Sequence, residues 1–357
     1  MSLSEYVDEF ERRDWQTTTD GTVRFALIGL GWWTVEEAIP AIAESDHCET
    51  TTLVTSSTAK GEEVAADVDT VTDVVTYDEF HDGAAADAYD AVYICTPNAY
   101  HLDFARTAAE LGKDVLTEKP MEATVERAAE MVAVCDANDV TLAVGYRMQT
   151  EPIVRRVREL VQSGAIGEPC HVHGANTQRL LDIFDDPDQW RLDRDRSGYG
   201  TSVMDLGIYP INTARFILDA DPVAAQATMR SEHEAFSDVP DEHAAFTLEF
   251  DDGVLAACTA SQNAHTTTHL EITGTEGRVR IEPAFHLDTE LTVTLGDTTL
   301  DFDTPKVNQM TEVFDYFGHA VVTDADVGLD GEHGLVDMET IAAIHRSADT
   351  GGRVTIE

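Results

Sequence analysis

Gly29-Leu30-Gly31-Trp32-Trp33-Thr34 sets two glycines two positions apart, directly after the apolar run 23–28 and ahead of a helix-like stretch at 35–45. Strand, glycine turn and helix in that order aim free backbone N–H groups at an anion. The glycines let the chain turn and approach a pyrophosphate; Thr34 stands where the dinucleotide fingerprint has a third glycine. After the next apolar run the chain reads Thr55-Ser56-Ser57-Thr58, with Lys60 following. NAD-binding chains usually place Asp or Glu there to hold the ribose hydroxyls. An acid would repel a 2′-phosphate, whereas hydroxyls and one of only four lysines can receive it. The pattern favours NADP, although the same residues also suit a polar loop with a helix cap at Thr58. Further on, Thr96-Pro97-Asn98 with His101, and Glu118-Lys119-Pro120, each follow a short apolar strand. If those strands are parallel, both groups lie at the carboxyl edge where such sheets bind ligands, and Lys119 comes within reach of a nicotinamide. His101 suits packing against the sheet as well as it suits a site.

The elements that must position these residues alternate. Strands are expected at 23–28, 50–55, 71–76, 91–96, 114–117 and 141–145, with helices at 35–45, 59–67, 99–111 and 122–138 between them. That alternation predicts an α/β unit, a Rossmann doubly wound parallel sheet over 21–147, preceded by a polar extension at 1–20. From residue 152 the pattern changes. Helices at 152–163 and 204–218 precede strands at 244–250, 254–262, 269–274, 278–282 and 291–295, separated by Asp-Gly or Glu-Gly turns. Consecutive strands with tight turns predict an open, mostly antiparallel sheet. With helices at 309–323 and 334–348 and a short strand at Val354, residues 148–357 form an α+β domain for substrate and self-association.

Composition narrows the function classes. Against 68 acidic residues stand 23 basic ones, a formal charge of −45, which excludes a nucleic-acid partner. Acids spread along both halves with almost no lysine fit a protein adapted to molar salt. Apolar runs are broken within about ten residues, short of the roughly 20 that span a membrane. The polar N-terminus does not read as a secretory signal, so a cytoplasmic protein is expected. Five widely spaced cysteines suit reduced packing residues. No Cys or His spacing predicts a metal site; His171 and His173 read as one half-exposed strand face.

Gly-x-Gly after strand one, Thr-Pro-Asn-x-x-His after strand four and Glu-Lys-Pro after strand five resemble the Gfo/Idh/MocA oxidoreductase family. Gly145-Tyr146-Arg147, Gln189-Trp190-Arg191-Leu192 and Met204-Asp205-Leu206-Gly207-Ile208-Tyr209 are similar to its glucose-fructose oxidoreductase branch. The resemblance implies NADP-dependent oxidation of a small-molecule sugar, D-xylose first, at the anomeric carbon to the lactone. It implies a catalytic pair, Lys119 with Tyr209 as the proton acceptor where inositol dehydrogenases have His, with Asp205 orienting Lys119 or a sugar hydroxyl. A phenol is a poor base at neutral pH unless a cation favours its anion, so the pair makes chemical sense. The resemblance also implies that Trp190 and Arg191 close over the cofactor, that Arg147 contacts its ribose or amide, and that the chain forms a homodimer or homotetramer through the second sheet. Tyr199 replaces a glycine common in relatives, which bears on the pocket's shape. Another sugar oxidoreductase of the branch, or a dinucleotide-binding regulator without turnover, are the alternatives; a regulator has no need of both Lys119 and Tyr209.

Overall fold

Strands buried at nearly every position must be covered on both faces, and the first part of the chain meets this with a parallel sheet. The computed structural model describes residues 20–302 and 306–356 together with Arg13 and Trp15, so the expected extension 1–20 lies almost wholly outside the described residues. β1 (Val23–Ile28), β2 (Cys48–Thr55), β3 (Asp73–Thr76), β4 (Ala91–Ile94), β5 (Asp114–Thr117) and β6 (Leu142–Val144) run side by side in the order β3-β2-β1-β4-β5-β6. Their ladders are all parallel, as the alternation predicts. The strand order reverses between β1 and β4, which opens a crevice beyond their carboxyl ends. Helices α1 (Ile39–Ala43), α2 (Thr58–Ala65), α3 (His101–Glu110) and α4 (Val125–Ala137) connect them. The cap of α2 is Ser57, one residue before the expected Thr58: its hydroxyl accepts the Lys60 amide at 3.4 Å.

Two helices of the second half are α5 (Pro152–Gln162) and α6 (Ile208–Leu218). Among the described residues its sheet has nine strands, ordered β14-β13-β12-β11-β7-β10-β9-β8-β15, the last being the short strand Val354–Thr355. The expected hairpin series supplies β9 (His243–Phe250), β10 (Leu255–Ser261), β11 (Asn263–Gly274), β12 (Gly277–Ile281) and β13 (Leu291–Leu295). It omits β7 (Pro169–Arg179) and β8 (Pro222–Arg230), and the short edge strand β14 (Thr298–Phe302). β7 lies mid-sheet, parallel to β10 and antiparallel to β11. Gly174 and Asn176 in β7, and three alanines in β8, carry little strand propensity, and burial of one face overrides it. That face packs on α6 and on α8 (Gly331–Thr350). The opposite face leaves Leu255 half exposed and Val223 partly so.

Helix α7 (Gln309–Thr323) follows the second sheet in sequence but packs on the first. Phe314 meets Phe25 and Tyr93 edge-on, with ring centres 5.4 and 5.2 Å apart. Ahead of β1, Arg13 Nε donates to the fully buried Glu312 of α7 at 2.9 Å, and Trp15 lies edge-on to Tyr316. One apolar core therefore runs through both halves, with a smaller separate cluster of Leu180, Leu192, Phe236 and Val239.

Glu151, just before α5, is 3% exposed and accepts from Thr289 Oγ1 at 3.3 Å. Burial pushes its carboxyl up to about 7, against the hydrogen bonds and the Arg147 charge that favour the anion. The folded chain thus holds a proton that the unfolded chain releases, so stability falls as pH rises from the ordinary carboxyl range toward 7. Glu151→Gln is expected to raise Tm by a few degrees at pH 8 and scarcely at all near pH 4.5; the same gain at both values in thermal unfolding would contradict this assignment.

Candidate active site

β5 ends at Thr117, and Glu118 and Lys119 carry the chain over its carboxyl edge. Tyr93 Oη donates to Glu118 Oε1 at 2.7 Å, and Glu118 Oε2 accepts the Lys119 amide at 3.1 Å, which fixes the turn. The Lys119 ammonium donates to Asp205 Oδ1 and to the Asp205 carbonyl, each at 3.1 Å, and lies 4.7 Å from the centre of the Tyr209 ring. Burial alone pulls this ammonium down, but the facing Tyr209, Asp205 and Glu118 outweigh it and raise its pKa, so it stays charged.

Asp205 lies on a π turn, Val203–Gly207, that leads into α6, whose second residue is Tyr209. Single π turns inside helices recur at functional sites because they rotate successive side chains onto one side. The turn is held by Asp241, fully buried, whose carboxylate accepts the Thr201 and Val203 amides at 2.7 and 2.8 Å. Gly200 permits the approach: a Cβ there would stand 2.2 Å from Asp241 Oδ1. Asp205 also accepts from Arg191 Nε at 3.2 Å and from Gln262 Nε2 at 2.8 Å. Burial works against its negative charge, yet Lys119, Arg191 and these hydrogen bonds hold its carboxyl well below the usual range. It is an anchor for two cations and a poor proton acceptor.

The group that touches the Tyr209 hydroxyl is Arg147, whose Nε–H donates to Tyr209 Oη at 3.2 Å. Its other nitrogens donate to Gln309 Oε1 and to the Phe285 carbonyl. Beside them a narrow recess is lined by Lys119, Arg147, Tyr209, Asn212 and Thr213.

At the sheet edge, Gly29 has φ +89°, and a Cβ there would meet the Cys95 carbonyl at 2.4 Å. Gly31 faces open space, with nothing within 4 Å of a Cβ position. Thr34, in the third-glycine position, is buried and donates from Oγ1 to the Gly29 carbonyl at 2.6 Å, closing the turn itself. Trp32 and Trp33 begin the helix; Trp32 is 56% exposed, its ring edge-on to that of Phe184. Ser56, Ser57, Thr58 and Lys60 are exposed at the end of β2, where the chain carries no carboxylate. This cradle fits a pyrophosphate and a 2′-phosphate. Pro97 opens the turn after β4, and Asn98 is buried, its amide donating to the Ser197 carbonyl at 2.9 Å. His101 is fully buried, with Nε2 bonded to the Thr96 carbonyl at 2.9 Å and Nδ1 paired with Thr117 Oγ1 at 3.1 Å. Of its two readings the packed one fits: both nitrogens brace the loops after β4 and β5. Trp190 and Arg191 lie on a short turn, the Arg191 guanidinium 4.5 Å from the Trp190 ring and turned toward Asp205. Tyr199 stays out of the recess; its hydroxyl accepts the Val125 amide at 3.2 Å at the start of α4.

Residues 23–146 match the oxidoreductase family with an NAD-binding Rossmann fold, and residues 154–280 match the GFO/IDH/MocA C-terminal domain. The chain belongs to the Gfo/Idh/MocA oxidoreductase family. Among Gfo/Idh/MocA relatives, D-xylose 1-dehydrogenase [NADP(+)] of Haloarcula marismortui is 55% identical, with all of both chains covered. D-xylose 1-dehydrogenase (NADP(+)) 2 of Haloferax volcanii is 32% identical over 93% of this chain and 99% of that one. The aldose-aldose oxidoreductase of Caulobacter crescentus, solved with glycerol, superposes with a TM-score of 0.88 at 28% identity, over 94% of this chain and 99% of that one. Family motifs mark Lys119, Asp205 and Tyr209. Gln262, Gln309 and Phe285 are not signalled by any motif: they reach the site from the end of β10, the start of α7 and the loop after β12. No helix among the described residues is long and apolar enough to cross a membrane.

Proposed function

We propose that this chain is an NADP-dependent aldose 1-dehydrogenase that oxidises D-xylose at its anomeric carbon to the lactone. The observation that carries the reading is the Lys119–Asp205 ion pair set against the Tyr209 ring at the carboxyl edge of the parallel sheet, in a chain 55% identical over its full length to a D-xylose 1-dehydrogenase. NADP, when bound, supplies the hydride acceptor. Tyr209 Oη takes the proton of the C1 hydroxyl while the C1–H bond breaks with its electron pair leaving as hydride, so C1 gains a second bond to its hydroxyl oxygen and becomes the lactone carbonyl. Lys119 holds positive charge beside the phenol, and Asp205 holds Lys119. Residues 21–147 bind the dinucleotide and residues 148–357 bring Tyr209 and Asp205 to it. Initial rates over a panel of pentoses and hexoses in molar KCl test this reading; D-xylose should give the highest kcat/KM, and no turnover of any aldose would overturn it.

The hydroxyls and Lys60 after β2 support NADP as the preferred cofactor. Ser56→Asp is expected to lower the NADP-to-NAD ratio of kcat/KM at least about tenfold, the effect of one charge-assisted contact turned to repulsion. An unchanged ratio would move 2′-phosphate recognition elsewhere. The open face of the nine-stranded sheet, with Leu255 and Val223 uncovered, supports a homodimer or homotetramer built through it, which light scattering at high salt checks; a monomer mass is the contrary result. Five unpaired cysteines agree with work in the cytoplasm.

A further inference from the structure

We propose that Arg147 is the positioning residue that readies Tyr209 for proton abstraction, acting on the phenolic oxygen and not on the cofactor. The inference rests on Tyr209 being the base, as above.

The geometry carries it. Lys119 faces the flat of the Tyr209 ring, and its two hydrogen bonds go to Asp205 rather than to the hydroxyl. Arg147 Nε–H points at the oxygen itself, 3.2 Å away, with the guanidinium carbon 5.0 Å from the ring centre. A guanidinium has donors and no acceptor, so Tyr209 Oη must receive this bond and its own proton must point elsewhere. Such a bond is stronger to a phenolate than to a phenol, and so favours the form that takes a proton.

Arg147 is also held as a tool and not as a mobile clamp. It is 6% exposed, and three of the five guanidinium N–H donors are taken up by Tyr209, Gln309 and the Phe285 carbonyl. Gln309 is itself fixed, donating to the His286 carbonyl at 3.0 Å. Phe285 has φ +64°, a left-handed conformation that is costly for a bulky side chain. That conformation turns the Phe285 carbonyl to Arg147 while its ring packs 5.8 Å from the Tyr209 ring. Strain is thus kept where it orients the guanidinium.

Other charged and titratable groups surround this pair. On the far side are Lys119, kept charged, with Glu118 behind it, and Asp205, kept ionised. Behind Arg147 lie His286, which burial and Arg147 hold toward the neutral form, and Glu151, raised to about 7 by burial. Glu151 is therefore the group whose own protonation needs separating out in a pH profile.

The test is the pH profile of kcat/KM for D-xylose in holoenzyme, with C1-deuterated xylose used to confirm that hydride transfer is limiting. In Arg147→Met the pH at which the rate rises should move up by about one to three units, the effect of removing an adjacent opposite charge. The high-pH plateau should largely return, and KM for NADP should stay within about twofold, far less than the tenfold that each 1.4 kcal/mol of lost contact gives. An unmoved limb with a raised KM for NADP, or a loss equal at every pH, overturns the proposal. Should Arg147→Met not fold, Gln309→Glu decides, because it leaves Arg147 in place and sets a carboxylate against it: the limb moves up if the proposal holds, and an unmoved limb overturns it. Glu151→Gln should leave the limb where it is; its disappearance would assign the limb to Glu151 and refute the proposal. Tyr209→Phe separates the two readings, since retained turnover there removes the base itself, whereas lost turnover with an unmoved Arg147→Met limb fails this inference alone.

Discussion

Tyr209→Phe is expected to lower kcat by about 10²- to 10⁴-fold, the usual worth of a positioned acid/base, while folding and NADP affinity survive. Phe keeps the ring volume, and the ring's contacts with Phe285, Lys119 and Arg147 are contacts of its faces. What is lost is the oxygen that Arg147 holds and the proton has to reach. Lys119→Met should act through the same step by removing the charge over that ring. The double variant should be little worse than either single, because residues that work as one unit are not additive. Single-turnover rates of the four proteins would check this. A Tyr209→Phe enzyme that kept more than about a third of wild-type kcat, far above that range, would need another base. Asp205, four residues before Tyr209, is a weak choice, since Lys119, Arg191 and Gln262 already hold it ionised.

Much of this site is legible in the sequence because it lies next to sharp local signals. Lys119 follows a buried strand, the glycine turn precedes a helix, and Asp205 and Tyr209 are four residues apart at a helix start. The parts that are not legible come from places where no local pattern marks them. Gln262 closes a strand that reads only as alternation, and Gln309 opens a helix whose apolar periodicity says nothing of where its first residue points. Phe285 lies in a loop whose conformation depends on what it packs against. His101 looked equally suited to two roles, and only its neighbours decide between them: Thr96 and Thr117 use both of its nitrogens. Two of the three omitted strands have the same origin. β7 and β8 are strands because α6 and α8 cover them, a tertiary cause that a window of residues does not contain.

Transfer from molar KCl to low salt is expected to cost the protein tens of degrees of Tm, or its fold outright. The screening length grows from about 3 Å at 1 M to roughly 10 Å at 0.1 M, so neighbouring acids that ignore one another in brine repel in dilute buffer. With 68 acidic residues and 23 basic ones, most carboxylates have no cation to pair with. Several of the cations present are already committed, Arg215 to Asp337 and Asp221, Arg24 to Asp90, Arg353 to Glu249. Calorimetry at both salt concentrations, with sucrose as a neutral excluded solute for comparison, separates screening from general exclusion. Equal Tm values in the two salts would sink the haloadaptation reading.

Helix α7 bears on how such a protein can be inherited in pieces. It is encoded after the substrate sheet, yet it supplies a wall of the cofactor domain through Phe314 against Phe25 and Tyr93, and its first residue steadies Arg147. A recombination breakpoint near residue 147 that joined two parents would therefore pair one parent's β1 and β4 with the other parent's α7. Chimeras in the family should work when residues 309–323 travel with the parent of the first sheet, and should fail through mismatched packing when they do not.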